Sequence, residues 1–379
     1  MGRQFSRRAQ FLALAVVIAS LGVSEARADP RIALATSGFS WLMERLWERI
    51  TGEIAQAPVK RADAALKRQG GSRILIGVDS DALREAMLIE LRDDTRRVLR
   101  EERIGFAGLG VHDGSVELRI REGKDWERAW SKIVPLSGAP AVSSAAEIPA
   151  MGDGLIRLAP TEQAFTERLR SLRRQSMEVI ERRLAGFAVA DASVQADGPD
   201  RIRVLAPGVK DPEQLSAIFN KRARITFRLV DESVTQAEAV RNPPAGSEVL
   251  YVLNSKDPVL LLKQVLMTGD DIADAQPGFD QRTKEPIVSF RFNASGARRF
   301  AQITEENVGR PFAIVLDSDV IALPIIREPI LHGSGQISGG FTVRDANNIA
   351  VLMGSGALPG RLIVTDQQVV EPDVASGQK

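Results

Sequence analysis

Cysteine is absent from the 379-residue chain, and histidine occurs only at His112 and His332. Two distant histidines and no thiols offer no zinc-ligand set. The lack of cysteine suits an oxidising compartment, where stray thiols are a liability, without excluding any other. No nucleophile-elbow pattern supports a serine hydrolase. Gly333-Ser334-Gly335 and Gly339-Gly340 lack the Gly-Lys-Ser/Thr of a phosphate loop and read as tight turns. Asp270, Asp271 and Asp274 lack calcium-loop spacing; they read either as a cation site or, with more physical support, as compensation of a helix start. These absences predict a protein that is not an enzyme and holds no metal or cofactor. Beyond residue 23 no apolar run approaches the about 20 residues of a membrane-spanning helix. Runs such as Val259-Leu260-Leu261-Leu262 have the length of core strands.

The first 28 residues have the layout of a secretory signal peptide. Arg3, Arg7 and Arg8 form a basic head, Phe11 to Val23 is apolar, and Ala26-Arg27-Ala28 supplies small residues before Asp29. An uncleaved anchor is the rival reading. Residues 1–28 carry four Arg and one Glu, so their removal takes the net charge from +1 to −2. A near-neutral, mixed surface argues against nucleic acid as a partner. A periplasmic protein, membrane-associated or free, is the expected result.

Patterning along the rest of the chain predicts an α+β fold. Residues 29–71 form a lead-in in which Trp41, Leu42, Leu46 and Ile50 recur at helical spacing, either docking on the body or resting on a membrane surface. Residues 72–135 read as strand, helix, strand, strand, helix. Ile74, Ile76 and Val78 alternate on the first strand, Asp81 caps the first helix, Asp113-Gly114 makes a hairpin turn, and Asp125 caps a helix bearing Trp126 and Trp130. Residues 136–153 are a Ser, Ala, Pro and Gly-rich linker.

The same order then returns. Leu155 to Leu158 is a strand, Thr161 caps a long helix, two strands flank Asp197-Gly198-Pro199-Asp200, Asp211 caps a helix starting at Pro212, and Arg224 to Val230 closes the unit. That β-α-β-β-α-β order is ferredoxin-like. Residues 154–230 are therefore read as a ferredoxin-like base, the second of two tandem modules. Residues 231–340 are an inserted α+β head, with a helix capped by Asn293. Residues 341–372, starting with a helix capped by Thr342, return to the base, and 373–379 are a tail.

A dense series of motifs in the insertion carries a family resemblance. It comprises Met267-Thr268-Gly269-Asp270-Asp271-Ile272, Pro286 to Phe290, Glu306-Asn307-Val308-Gly309, Arg327-Glu328-Pro329-Ile330, and Gly333-Ser334-Gly335 through Gly339-Gly340-Phe341-Thr342. With Ala206-Pro207-Gly208 before it and Ser355-Gly356-Ala357-Leu358-Pro359 after it, the series resembles the first periplasmic domain of SecD, with its base and head subdomains. The likeness runs from about Gly70 to Pro372.

The resemblance implies a non-catalytic part of Sec-dependent protein export that binds translocating, unfolded polypeptide. It also implies membrane partners in trans, the Sec translocon and SecF-like subunits, to supply the proton path expected to be missing here. A periplasmic adaptor that binds an envelope component unrelated to export is the alternative. In the family the head changes angle against the base. Asp231, Glu232, Gly339 and Gly340, at the edges of the insertion, are thus the expected hinge. Gly269, Asp270, Asp271, Arg327, Glu328, Gly333 and Gly335 are the expected turn or latch of the head. After Val179-Ile180-Glu181-Arg182-Arg183-Leu184, which keeps the family's paired Arg, this chain has Ala185, Ala188, Asp191 and Ala192 in place of the usual residues, which puts the turn there in question. Phe290 and Phe292 share a strand face and should be buried together.

Overall fold

A computed structural model describes residues 59–140 and 154–373 of the chain. The expected signal peptide, most of the lead-in, the greater part of the linker and the tail lie outside the described residues. A helix over residues 59–69 (α1) precedes β1 (Gly71–Val78). Next come α2 (Ser80–Glu101), β2 (Phe106–His112), β3 (Ser115–Ile120), α3 (Trp126–Ile133), β4 (Leu155–Leu158) and α4 (Glu162–Gly186). The strands β5 (Ser193–Asp197) and β6 (Arg201–Pro207) lead to α5 (Pro212–Asn220).

The head follows, with β7 (Ile225–Leu229), α6 (Gln236–Arg241), β8 (Ser247–Val252), β9 (Pro258–Leu262), β10 (Met267–Thr268), β11 (Ile272–Phe279) and β12 (Pro286–Phe292). Then come α7 (Ala294–Glu306), β13 (Phe312–Leu316), β14 (Asp319–Ala322) and β15 (Ser334–Ile337). The chain returns through α8 (Val343–Ser355) to β16 (Leu362–Val370).

The α+β class and the inserted head are as expected, but two strands belong elsewhere than their sequence neighbourhood suggests. The base sheet has the order β16-β1-β6-β5. Taken with α4 and α5, these strands give one ferredoxin-like set: β1, α4, β5, β6, α5, β16. Its first strand is Gly71–Val78, not Leu155–Leu158, and its last is Leu362–Val370, not Arg224 to Val230. The strand Leu155–Leu158 instead pairs with β3 in a separate sheet of order β2-β3-β4. Ile225–Leu229 enters the head sheet beside β13.

Burial explains the exchange. Ile74, Ile76, Ile202 and Val204 are all fully buried against the helices, and register sets Ile74 opposite Val204 and Ile76 opposite Ile202. The apolar faces of β1 and β6 are therefore continuous across the sheet, and a one-residue slip would turn them to solvent. Local patterning predicts that β1 is a strand but says nothing about its partner more than a hundred residues away.

Helix starts follow the side chains. Thr161, Asn293 and Thr342 accept from the backbone N–H three residues on, at 3.1, 2.8 and 3.1 Å. Two expected caps differ. Asp79, not Asp81, caps α2 by accepting from Ala82 N at 2.9 Å. Asp125 makes no capping bond and pairs with Arg128 at 3.1 Å.

In the head, the sheet order is β10-β7-β13-β14-β8-β9. An antiparallel bridge between Val230 and Leu261, with Asp231 N–H donating to the Leu260 carbonyl at 2.9 Å, brings β9 back to β7. Five strands thus close into a small barrel, filled by Val259, Leu261, Ala313, Val315 and Val320. Outside it, β11-β12-β15 form a second sheet. Phe227, Phe290, Phe292, Phe300 and Phe312 interlock between barrel, second sheet and α7, with ring centroids as close as 4.8 Å. Phe290 and Phe292 are buried together, 5.2 Å apart. Helix α8 packs on both α4 and the β11–β12 face, so base and head share one apolar core.

Candidate functional site

The structure places the expected hinge residues away from the points where the chain leaves and re-enters the base. Since β7 is already part of the head sheet, the outward crossing is the segment Lys221 to Arg224. Asp231 and Glu232 lie inside the head. The Asp231 carboxylate accepts from Ser233 N at 2.9 Å and from the Ser247 hydroxyl; the Ser233 side chain, then the Ser247 hydroxyl and the Ser233 N–H, hold it below the usual carboxylate range. The Gly339 and Gly340 carbonyls accept from Asn254 Nδ2 at 2.9 and 3.3 Å, clipping that end of the head to the β8–β9 turn. The return crossing is the segment Gly356 to Arg361, after α8.

The expected latch residues fall into two groups. Gly269, Asp270 and Asp271 form a single 3-10 turn beneath the start of α7. The Asp270 and Asp271 carbonyls accept from Asn293 Nδ2 at 3.0 Å and from Asn293 N at 2.8 Å. The buried Asp271 carboxylate accepts from Thr268 N and pairs with Arg299, both at 3.2 Å. The cluster thus seats α7 through one inward-facing acid. Gly333 and Gly335 line up beside it for steric reasons. Gly333 has φ +60° and its backbone lies against Ala297 of α7, while a Cβ on Gly335 would sit 2.7 Å from the Phe290 ring. Only glycine allows this approach.

Arg327 and Glu328 differ from the rest. Both are exposed, and no ion pair joins them to each other or to another described residue. They do not form a latch in this structure. Their segment is nevertheless unusual, because aliphatic side chains around it face water: Val308 is 49% exposed, Ile325 60% and Leu331 68%. Among the phenylalanines of the described residues only Phe279 is strongly exposed, at the tip of the β11–β12 hairpin. Tyr251 on β8 is also exposed, at 47%, and exposed aliphatic side chains supply most of the remaining apolar surface of the head.

A further concavity of the base, of about 380 Å³, lies between α1 and the sheet face turned away from α4 and α5. Arg73, Asp63, Asp197, Arg203 and Asp366 line it, with Arg203 paired to Asp197 at 2.6 Å. Its charge is mixed, so it favours neither an anionic nor a cationic ligand. His112 and His332 are both exposed, and among the described residues no group of three His, Asp or Glu converges.

Sequence reasoning gave no role to Arg183 or Asp317, both of which hydrogen-bond to the outward crossing. Arg183 carried a signal: it falls on the α4 face that also holds Leu172, Ser176, Val179 and Ile180, where a surface arginine does not belong.

Two family models match parts of the chain. Residues 247–360 match the model of the SecDF P1 head subdomain, and residues 173–232 match that of the N-terminal P1 domain of protein translocase subunit SecDF. Protein translocase subunit SecD of Acetobacter pasteurianus is 34% identical over 322 residues, 84% of this chain and 61% of that protein. SecD of Rickettsia bellii is 32% identical over 322 residues, 84% of this chain and 60% of that protein. A solved structure of SecDF, described as a membrane component that enhances protein export, is 32% identical and covers 52% of this chain and 92% of its own, with a TM-score of 0.42. The chain thus spans about 60% of the length of the curated relatives it matches.

Proposed function

The chain belongs to the SecD family of protein translocase subunits, whose P1 region it carries, and on that premise we propose that it is a non-catalytic module that holds exported polypeptide beside the Sec translocon. The proposal places it on the periplasmic side, with the translocon and SecF-like membrane subunits as partners. The observation that supports a binding role is the set of exposed aliphatic side chains on the head, Val308, Ile325 and Leu331. Apolar surface of this kind rewards contact with an unfolded chain, whose own apolar side chains are also in water. β11 and β15 are the outer strands of their sheet, and such edges offer main-chain hydrogen bonds to an extended segment.

Binding by itself shifts a conformational equilibrium only by its differential affinity for the two states. The reading therefore assigns energy input and proton flow to the membrane partners. Among the described residues no helix is long and apolar enough to cross a membrane.

A photo-crosslinking side chain placed at Ile325 or Leu331 tests the proposal in cells secreting a stalled export substrate. The expected product is an adduct with the stalled chain, lost in an Ile325→Asp, Leu331→Asp background when the probe sits at Val308. Adducts with other envelope proteins and none with the stalled chain would overturn it and favour the adaptor reading.

A further inference from the structure

Arg183 lies in the last turn of α4 with no surface exposed. Among the described residues no carboxylate comes within ion-pair distance of it. Its guanidinium is satisfied by five oxygens. Nη1 donates to the carbonyls of Ile218 and Lys221, each at 2.7 Å, and Nε to Ser355 Oγ at 3.3 Å. Nη2 lies 3.5 Å from the carbonyls of both Arg222 and Gly356.

These acceptors come from two places in the chain. Ile218, Lys221 and Arg222 are the end of α5 and the outward crossing. Ser355 and Gly356 are the end of α8 and the start of the return. One planar fork therefore spans both crossings between base and head, a geometry that a lysine ammonium cannot reproduce. The C-terminal carbonyls of two helices carry partial negative charge, which compensates the cation in place of an acid. Burial lowers the Arg183 pKa to about 10, against the field of Asp317, so it stays charged at neutral pH.

Asp317, at the β13–β14 turn of the head, grips the same outward crossing. Its Oδ1 accepts from Arg224 N at 2.9 Å, its Oδ2 from Ala223 N at 3.2 Å, and its own N–H donates to the Arg224 carbonyl at 2.8 Å. Ala223 and Asp317 both have left-handed backbones, with φ of 58° and 57°. Residues other than glycine adopt that conformation at a cost, so their neighbours hold the path of the crossing in place. The Leu358 N–H donates to the Arg222 carbonyl at 2.8 Å, linking the two crossings directly.

We propose that Arg183 is the positioning residue that fixes the head on the base, joining both crossings so that the two lobes move as one body until the guanidinium releases one of them. The proposal does not depend on what the lobes bind. The cysteine-free chain allows a direct test. In the full-length protein, Gln175→Cys on α4 and Gln281→Cys on the head hairpin, both exposed, carry spin labels for interlobe distance measurement. One narrow distance is expected in the parent protein, and a broadened or shifted distribution in Arg183→Lys and Arg183→Met. Leu118→Ala, on β3 in the separate core beneath the β2-β3-β4 sheet and likewise lowering thermal stability, should leave the distance narrow. An unchanged distribution in folded Arg183 variants would overturn the proposal. Should both fail to fold, Asp317→Asn decides: broadening supports the joint, and a distribution identical to the parent's overturns it.

Discussion

Two segments interrupt the base, one between β1 and α4 and the other between α5 and β16, and they bury their apolar side chains in different ways. The first, with α2, β2, β3, α3 and β4, has a core of its own built on Leu88, Leu99, Val116, Leu118, Trp126, Ile133 and Ile156. It touches α4 through the first half of α2, where Arg84 pairs with Glu162 at 3.1 Å and its guanidinium lies 3.8 Å above the Phe165 ring. A cavity of about 400 Å³, lined by Met87, Leu91, Leu136 and Ala164 among others, remains between the two parts. The second segment, the head, places its phenylalanines in the same core as the base. An insertion with a separate core and a loose seam is free to open alone. One that shares a core is tied to its host in stability and in orientation.

The strongest way to break this comparison is Phe227→Ala. Phe227 packs against four other phenylalanines, one stacked and three tilted or edge-on, and is 1% exposed. A loss of about 4 kcal/mol is expected, visible in denaturant unfolding as a single earlier transition for base and head together. A base that keeps its parent midpoint would refute the shared core. Next in size is Trp126→Ala in the first insertion, with an expected loss of about 3 kcal/mol confined to that insertion. Hydrogen exchange should speed up in α2, β2 and β3 and stay slow in β1 and β6; a global effect would show that the seam is tighter than drawn.

Arg84→Ala sharpens the same contrast from the seam itself. The pair is exposed, so about 0.5–1 kcal/mol is expected, read as faster exchange at the start of α2 without a change in the midpoint of the base. The smallest effect runs the other way. α4 ends in a Schellman turn, with Val189 N–H donating to the Leu184 carbonyl at 3.2 Å and Ala188 N–H to the Ala185 carbonyl at 3.0 Å. Ala188 has φ 52° there. Ala188→Gly should stabilise the base by about 0.5 kcal/mol, the relief of left-handed strain less the added freedom of the unfolded chain; an unchanged or lower melting temperature would show that the turn is not strained.

What the sequence made legible was local. The caps Thr161, Asn293 and Thr342, the Asp113-Gly114 turn, the burial of Phe290 with Phe292 and the α+β class were all readable from nearby residues. The strand β11 was not read, because Pro277 and Gly278 interrupt its alternation; it is an edge strand, where a missing N–H is tolerated. Strand ownership was also not legible. Leu155–Leu158 and Gly71–Val78 carry equivalent local signals, and only the pairing of distant apolar faces decides which of them enters the base. The crossings were misplaced for the same reason, since their position follows from assigning β7 to the head. Glycine pairs attracted attention as pivots, while the residue that joins the crossings is an arginine hidden in a helix face. The altered residues after α4 did not abolish the turn: the backbone bonds that form it need no particular side chain.

The pairing of β1 with β16 has a consequence for how the molecule comes into being. Thr365 Oγ1 donates to the Leu75 carbonyl at 3.2 Å across 290 residues of chain. During synthesis or passage across a membrane, both insertions emerge before β16 does, and the first, with a core of its own, is complete enough to fold then. The base sheet must wait for its last strand, and contacts so distant in sequence form slowly. Until then β1 has a partner only in β6 and offers its other edge to any extended chain nearby.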